Sequence, residues 1–280
     1  MTGGNLLEVS EELSEYWIVF NSYYMTFTMT SFLLGIHHLP ILAVLDIIYP
    51  SILIWCAMKL KRKRRGKHMK KYIVYDYEKE PINWEEVPHV MIQEFPWYKG
   101  GLKQDTKVQM AIADDIIHIH MWAEDQYIRA TSKKLNEPVY EDSCFEFFVT
   151  PWNEKSTEYF NIEINCIGTL YMAYRDGTED RQLISDEHAQ LIKIDSSLCK
   201  DNLQGQKDWS LQISIPFQVL KEMSGKNIAN DKWYGNFYRC GGLEDGQYAC
   251  WNPIEFPYPN YHQPEQFGEL IITKVAQKGK

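Results

Sequence analysis

Several chemistries are missing from this chain. There is no GxGxxG or GxxxxGK[ST] to cradle a phosphate, no GxSxG elbow and no HExxH, so nucleotide-binding, hydrolase-elbow and zincin readings find no support. The six cysteines (Cys56, Cys144, Cys166, Cys199, Cys240 and Cys250) contain no CxxC pair, and their spacing matches neither a zinc site nor a small disulfide scaffold. Free thiols in a reducing compartment are the expectation. Basic residues are outnumbered, 29 against 38 acidic ones, for a net charge of −9. That balance excludes a general nucleic-acid binder, because phosphate contacts need clustered cations, and leaves an uncharged or cationic partner. With 280 residues, 45% hydrophobic and 14% aromatic, the chain is too apolar for a disordered tail and ample for a core.

Charge is also distributed unevenly. Between Tyr16 and Met58 the single charged residue is Asp46, and then KLKRKRRGKHMKK brings a dense basic run. Residues 1–68 hold seven Lys/Arg and five Asp/Glu, a net +2, whereas residues 69–280 hold 22 and 33, a net −11. Two physical objects are joined here. A membrane-spanning helix needs about 20 apolar residues, and Tyr16 to Ile36 and Leu39 to Leu60 both approach that length, with His37, His38 and Pro40 at a hairpin turn. The basic run after them would hold everything downstream on the cytoplasmic side. A cleavable signal peptide has the opposite charge order. The competing reading makes residues 1–68 a miscalled start: Arg64 and Arg65, if encoded AGG-AGG, would form a bacterial ribosome-binding sequence ahead of Met69. Both readings leave the second domain, residues 69–280, in the cytoplasm, with a membrane partner only if residues 1–68 are genuine.

In that second object the hydrophobic period is two. KVQMAIA sets Val108, Met110 and Ile112 on one side; IIHIHMW sets Ile117, Ile119 and Met121 inward and His118, His120 and Trp122 outward, with Asp114 and Asp115 in the turn between. SCFEFFV alternates Phe145, Phe147 and Val149 with Cys144, Glu146 and Phe148, and YFNIEIN alternates Phe160, Ile162 and Ile164 with Tyr159, Asn161, Glu163 and Asn165. GTLYMAYR, QLIKI, WSLQISI, WYGNFYRC and GELIIT continue the series, and FQVLKEM after Pro216 is the one short helix. About nine strands without βαβ alternation predict an all-β fold, a two-sheet antiparallel β-sandwich of jelly-roll type. Trp209, Trp233 and Trp251 belong in its core.

Two groups of side chains invite chemistry. His118 and His120 share a strand face, but with no third ligand nearby in sequence they are expected to face solvent. Glu146 and Glu163 lie on the polar sides of two strands that could pair, and a glycosidase needs two carboxyl groups about 5 to 10 Å apart. The same face carries Tyr159, Asn161, Asn165, Asn236 and Tyr238, a mixture suited to hydrogen-bonding hydroxyls rather than to raising one carboxyl's pKa by desolvation. A solvated face, a ligand face and a catalytic face all stay open.

PVYEDSCFEFFVTP, YFNIEINCIGTLY, WSLQISIPFQVL, NFYRCGG and WNPIEFPYPNYHQPEQFGELII resemble, in order and spacing, the carbohydrate-binding module family 9-like proteins. The resemblance runs from about Tyr75 to Thr273, with a weaker first block around Trp84 and Trp97. It implies a noncatalytic β-sandwich that grips a terminal sugar between two aromatic rings, in carbohydrate catabolism. Position by position, it puts the rings at Tyr140 and Tyr261, a glutamate at Glu146, and polar positions at Asn161, Tyr238 and Tyr258. The chain departs from the family pattern by having tyrosine at both rings, Asn161 in place of an arginine, and Tyr238 and Tyr258 in place of amides. No cofactor is implied beyond structural calcium, which some members bind; Asp142, in the stretch Glu141-Asp142-Ser143, either organises its turn or ligates that ion. The alternatives are a glycoside hydrolase using Glu146 and Glu163, or a protein-interaction sandwich.

Overall fold

The computed structural model describes residues 69–275 apart from residues 99, 178, 179, 200 and 242–245. Both readings of the apolar and basic stretch, anchor or miscalled start, lie outside the described residues. Among the described residues no helix is long and apolar enough to cross a membrane.

The described strands are β1 (Lys71–Asp76), β2 (His89–Met91), β3 (Thr106–Ala113), β4 (Ile116–Glu124), β5 (Ser143–Thr150), β6 (Tyr159–Asn165), β7 (Leu170–Arg175), β8 (Arg181–Leu183), β9 (Lys193–Ser196), β10 (Asp208–Pro216), β11 (Lys232–Gly241), β12 (Ala249–Cys250) and β13 (Gly268–Lys274). They form one sheet in the order β8-β7-β6-β5-β11-β13-β1-β3-β4-β10-β9, with β12 on β11 and β2 on β3. The sheet folds into a sandwich, because one continuous core takes Val108, Ile119 and Ile213 from one half and Phe147, Ile162 and Phe237 from the other. Trp209, Trp233 and Trp251 are in that core as expected.

Two features modify the expected architecture. The sheet is mixed: β1 runs parallel to both β13 and β3, while the other ladders are antiparallel. And QLIKI begins as a helix end, because Ser185 caps α1 (Asp186–Ala189) by accepting from the His188 amide, so β9 starts only at Lys193. The expected helix is α2 (Phe217–Ser224), opened by Pro216 and closed by Gly225 at φ +68°, a left-handed conformation that costs glycine little. Asp114 and Asp115, both at positive φ, make the two-residue turn between β3 and β4.

Alternation correctly identifies the core side of β3, β4, β5 and β6 but not the state of the other side. In β5 and β6 every residue is buried on both faces. The outer face is roofed by Val139, Tyr261 and Phe267, which form a second apolar cluster with Phe148, Tyr159 and Tyr238. Tyr261 pins the roof by donating its hydroxyl toward the Arg239 and Ala249 carbonyls at 3.0 and 3.2 Å.

A carboxylate holds the corner leading into β5. Asp142 is fully buried and accepts from the Thr131 amide and hydroxyl, the Ser132 amide and the Asn165 side chain at 2.7 to 3.0 Å. Those partners are N–H and O–H donors with Arg129 at 3.7 Å, the reverse of the oxygen cage calcium takes, so Asp142 organises the turn. Among the described residues no group of three or more His, Cys, Asp or Glu side chains is placed to hold a metal. The five described cysteines are free.

Candidate functional site

Period-two spacing sends Glu146 of β5 and Glu163 of β6 to the roofed side of the sheet, and register sets them directly opposite each other, with Tyr238 of β11 opposite Glu146 on its other flank. Directly opposed residues on antiparallel strands have Cβ atoms about 4.5 to 5.5 Å apart, so the two carboxyls are immediate neighbours. They floor a cavity of about 210 Å³, walled by Tyr140, Cys240, Tyr248, Pro259, Asn260, Tyr261 and His262.

The floor is electrostatically unusual. Burial first, then the neighbouring Glu163 carboxylate, push the Glu146 pKa well above the carboxylate range, opposed by the Cys240 thiol, whose Sγ lies 3.0 Å from Glu146 Oε1. Burial also pushes the Cys240 thiol up, which keeps it a neutral donor. Burial raises Glu163 to about 7, against the lowering effects of the Asn161 side chain and the Arg175 and Arg181 guanidiniums. The expectation that this face would not raise a carboxyl's pKa is therefore corrected: a roof supplied from elsewhere in the chain removes the water that alternation alone had left there. Glu163 Oε2 is buried with no hydrogen-bond partner among the described residues. On the wall, burial and then the same two guanidiniums pull His262 down to about 4, so the ring is neutral at pH 7, sharing a 2.8 Å hydrogen bond with the Tyr159 hydroxyl.

Of the six expected site residues, the cavity brings together Tyr140, Glu146 and Tyr261. Tyr140 stands in a 3-10 turn (Val139–Glu141), and half of its surface is open. Tyr261 is buried, its ring stacked on Tyr238 at 4.1 Å and 14°. Tyr238 therefore lies beneath the wall, outside the lining. Asn161 is buried beside Glu163 and also does not line the cavity, and its Oδ1 has no hydrogen-bond partner among the described residues. Tyr258 is exposed and packs edge-on against Phe256.

Sequence reasoning put Glu163 on the polar face but left it out of the sugar-binding set, and missed Cys240, Tyr248, Pro259, Asn260 and His262 as lining. Cys240 had a usable signal, two residues beyond Tyr238 and hence on the same strand face. Tyr248, Pro259 and Asn260 come from loop without periodicity.

The expectation that His118 and His120 face solvent is also corrected. Gln109 of β3 donates to the Trp84 and Val87 carbonyls at 2.9 and 2.8 Å, fastening a loop whose Trp84 ring stacks on His120 at 3.5 Å, while His118 is buried beneath Glu80. Trp122 is outward and partly exposed as expected.

A β-sandwich with a roofed cavity of rings and carboxyls has the shape and chemistry of a small-ligand pocket. Residues 76–272 match the family model Carbohydrate-binding family 9, and the chain belongs to that family. Among solved structures it is similar to a "putative carbohydrate-binding protein" from Bacteroides uniformis ATCC 8492, at 24% identity and a TM-score of 0.64, covering 73% of this chain and 100% of that one. It is also similar to a carbohydrate-binding module of family 9 from Caldicellulosiruptor kristjanssonii, at 12% identity and a TM-score of 0.50. In complex with glucose the match covers 75% of this chain and 99% of that one, and with cellotriose 75% and 97%. No curated protein matches the chain.

Proposed function

We propose that the protein binds carbohydrate without cleaving it, gripping a terminal sugar in the cavity with Tyr140 and Tyr261 as the ring walls and Glu146 and Glu163 reading its hydroxyls. The observation that carries this reading is the pair of buried, facing carboxyls that line the floor of an open cavity, one of which keeps an oxygen without a hydrogen-bond partner among the described residues. A buried acceptor without a donor costs about 1 to 3 kcal/mol, and a sugar hydroxyl would recover it. Aromatic walls supply the apolar surface on which sugar C–H faces pack. Family membership and the glucose and cellotriose held by the similar modules support the same class of ligand; a place in carbohydrate catabolism is part of the proposal. Titration calorimetry of the full chain with glucose and cellotriose tests it. Binding of roughly 4 to 8 kcal/mol is expected, millimolar to micromolar; absence of binding to these and to a panel of neutral oligosaccharides overturns it.

The opposed carboxyls also favour a second reading, glycoside hydrolysis. Against it, both acids rise from one floor, whereas a glycosidase flanks the scissile bond with its two carboxyls. Reducing-sugar release by the wild type that vanishes in Glu146→Gln would decide for the enzyme. The cytoplasmic placement of the domain belongs to the same proposal, and protease protection in intact cells checks it.

A further inference from the structure

The cavity uses the outer face of β5, β6 and β11. The other half of the sandwich has an outer face too, and it carries a second recess of about 300 Å³. Register builds its floor as two polar rows across three strands. Lys193 of β9, Ser214 of β10 and His118 of β4 form one row; Asp195, Gln212 and His120 form the next. Adjacent strands are about 4.8 Å apart, so each row offers hydrogen-bonding groups at a repeat suited to a run of hydroxyls. The end wall is the loop Glu80, Pro81, Ile82 and Trp84, held by the two Gln109 hydrogen bonds and by the stack on His120. The wall is thus fixed before any ligand arrives.

One atom points to a missing partner. His118 is nine-tenths buried and lines the recess; its Nδ1 lies 3.1 Å from Ser214 Oγ, yet its Nε2 has no hydrogen-bond partner among the described residues, Glu80 Oε1 standing at an ion-pair distance of 3.5 Å. The charges in the recess, Glu80 and Asp195 against Lys193, disfavour an anion. A metal is also disfavoured, since no group of three or more ligating side chains is assembled there. What fits is a neutral molecule with many hydroxyls and a C–H face to lay against Trp84 and Ile82.

We propose that this recess is a second carbohydrate site, taking a neutral oligosaccharide across β9, β10 and β4, with Trp84 as its apolar wall and the Asp195–Gln212–His120 row as its polar floor. The site stands independently of the cavity reading. Because the core side chains of both halves point inward, the two sites occupy opposite outer faces of the sandwich, and a chain with both can engage two glycan segments at once.

Native histidines report on the two sites separately: His118 and His120 on the recess, His262 on the cavity. Imidazole resonances of the full chain, followed by NMR during titration with cellotriose and then a panel of neutral oligosaccharides to about 10 mM, should show saturable shifts at His118 and His120. A dissociation constant of about 1 mM is expected. Gln212→Ala, an exposed position that leaves the fold intact, should weaken those shifts about fivefold, and Trp84→Ala should abolish them, both leaving the His262 response unchanged. Shifts at His118 and His120 alone would sustain the recess and sink the cavity reading. Shifts at His262 alone, silence at all three, or recess shifts indifferent to both substitutions would overturn the second site.

Discussion

β5 and β10 have the same sequence grammar and different fates. SCFEFFV and WSLQISI each alternate apolar and polar residues, and each puts its apolar set in the shared core. In β10 the alternate residues are open or half-open; in β5 they are all buried. The difference is imposed by the turn just before β5, which supplies Val139, and by segments about a hundred residues downstream that fold back over β5 and bring no periodicity of their own. Polar residues under that roof must then find partners. Asn236 does, donating to the Asn252 carbonyl and accepting from the Asn252 amide at 2.9 and 2.8 Å, whereas Glu163 keeps one oxygen unpaired. A cavity is what remains where the roof does not close.

The contrast can be broken most sharply by removing a roofed apolar residue. Phe148→Ala on β5 deletes a buried ring packed against Tyr159 and His262, and should cost about 3 to 5 kcal/mol in denaturant unfolding, although Phe148 lies on the side that alternation assigns to solvent.

Next in size is a pH effect confined to the roofed face. Because the Glu163 pKa is raised to about 7, the folded chain holds a proton that the unfolded chain gives up near 4.5. Its contribution to stability is complete below that lower value and is lost as pH rises through about 7. Glu146, also raised, adds in the same direction, while His262, lowered, opposes it below the ordinary histidine value; Arg175, Arg181 and Asn161 already act to hold Glu163 down. Glu163→Gln should therefore melt several degrees above wild type at pH 8 and close to it at pH 4, as scanning calorimetry would register. Equal melting differences at both pH values would show that the carboxyl is not held protonated by its burial.

Binding separates the two ring walls. Tyr140→Ala should lose about 2 kcal/mol of sugar affinity, near thirtyfold, with an unchanged melting temperature, because the ring is half open. Tyr261→Ala should lose both affinity and stability, since its ring and hydroxyl hold the roof. The smallest effect belongs to β10: Gln212→Ala should alter stability by no more than about 0.5 kcal/mol in the same denaturant assay.

Nine of the strands and the α2 helix were legible because a half-buried strand writes its core face as a period of two, and Pro216 marks a helix start. β1, β2, β8 and β12 were not. Three of them are only two or three residues long, too short for a period, and β1 reads KYIVYD directly after a basic run. Parallel pairing of β1 leaves no mark on its own residues. Of the cavity lining, Tyr140, Glu146 and Tyr261 were legible through ordered blocks resembling a family. The rest of the lining was not, because Tyr248, Pro259 and Asn260 reach the cavity through loop geometry, and the facing of Glu146 and Glu163 depends on register. Register is a relation between strands, and neither strand's composition encodes it alone.

The position of β13 has a consequence for synthesis. It is the last strand described, yet it sits between β11 and β1 and is the ladder that joins the two halves of the sheet, with Lys71 opposite Glu269 and Trp233 opposite Leu270. A chain emerging from the ribosome can pair β5 with β6 and β3 with β4 early, since those contacts are local. It cannot join the halves until Gly268–Lys274 has cleared the exit tunnel. Until then the inner faces of both halves, Phe145, Phe147 and Ile162 on one and Ile117, Ile119 and Ile213 on the other, lack their final closure, and apolar surface left open in that interval is what makes a partly folded chain prone to aggregate.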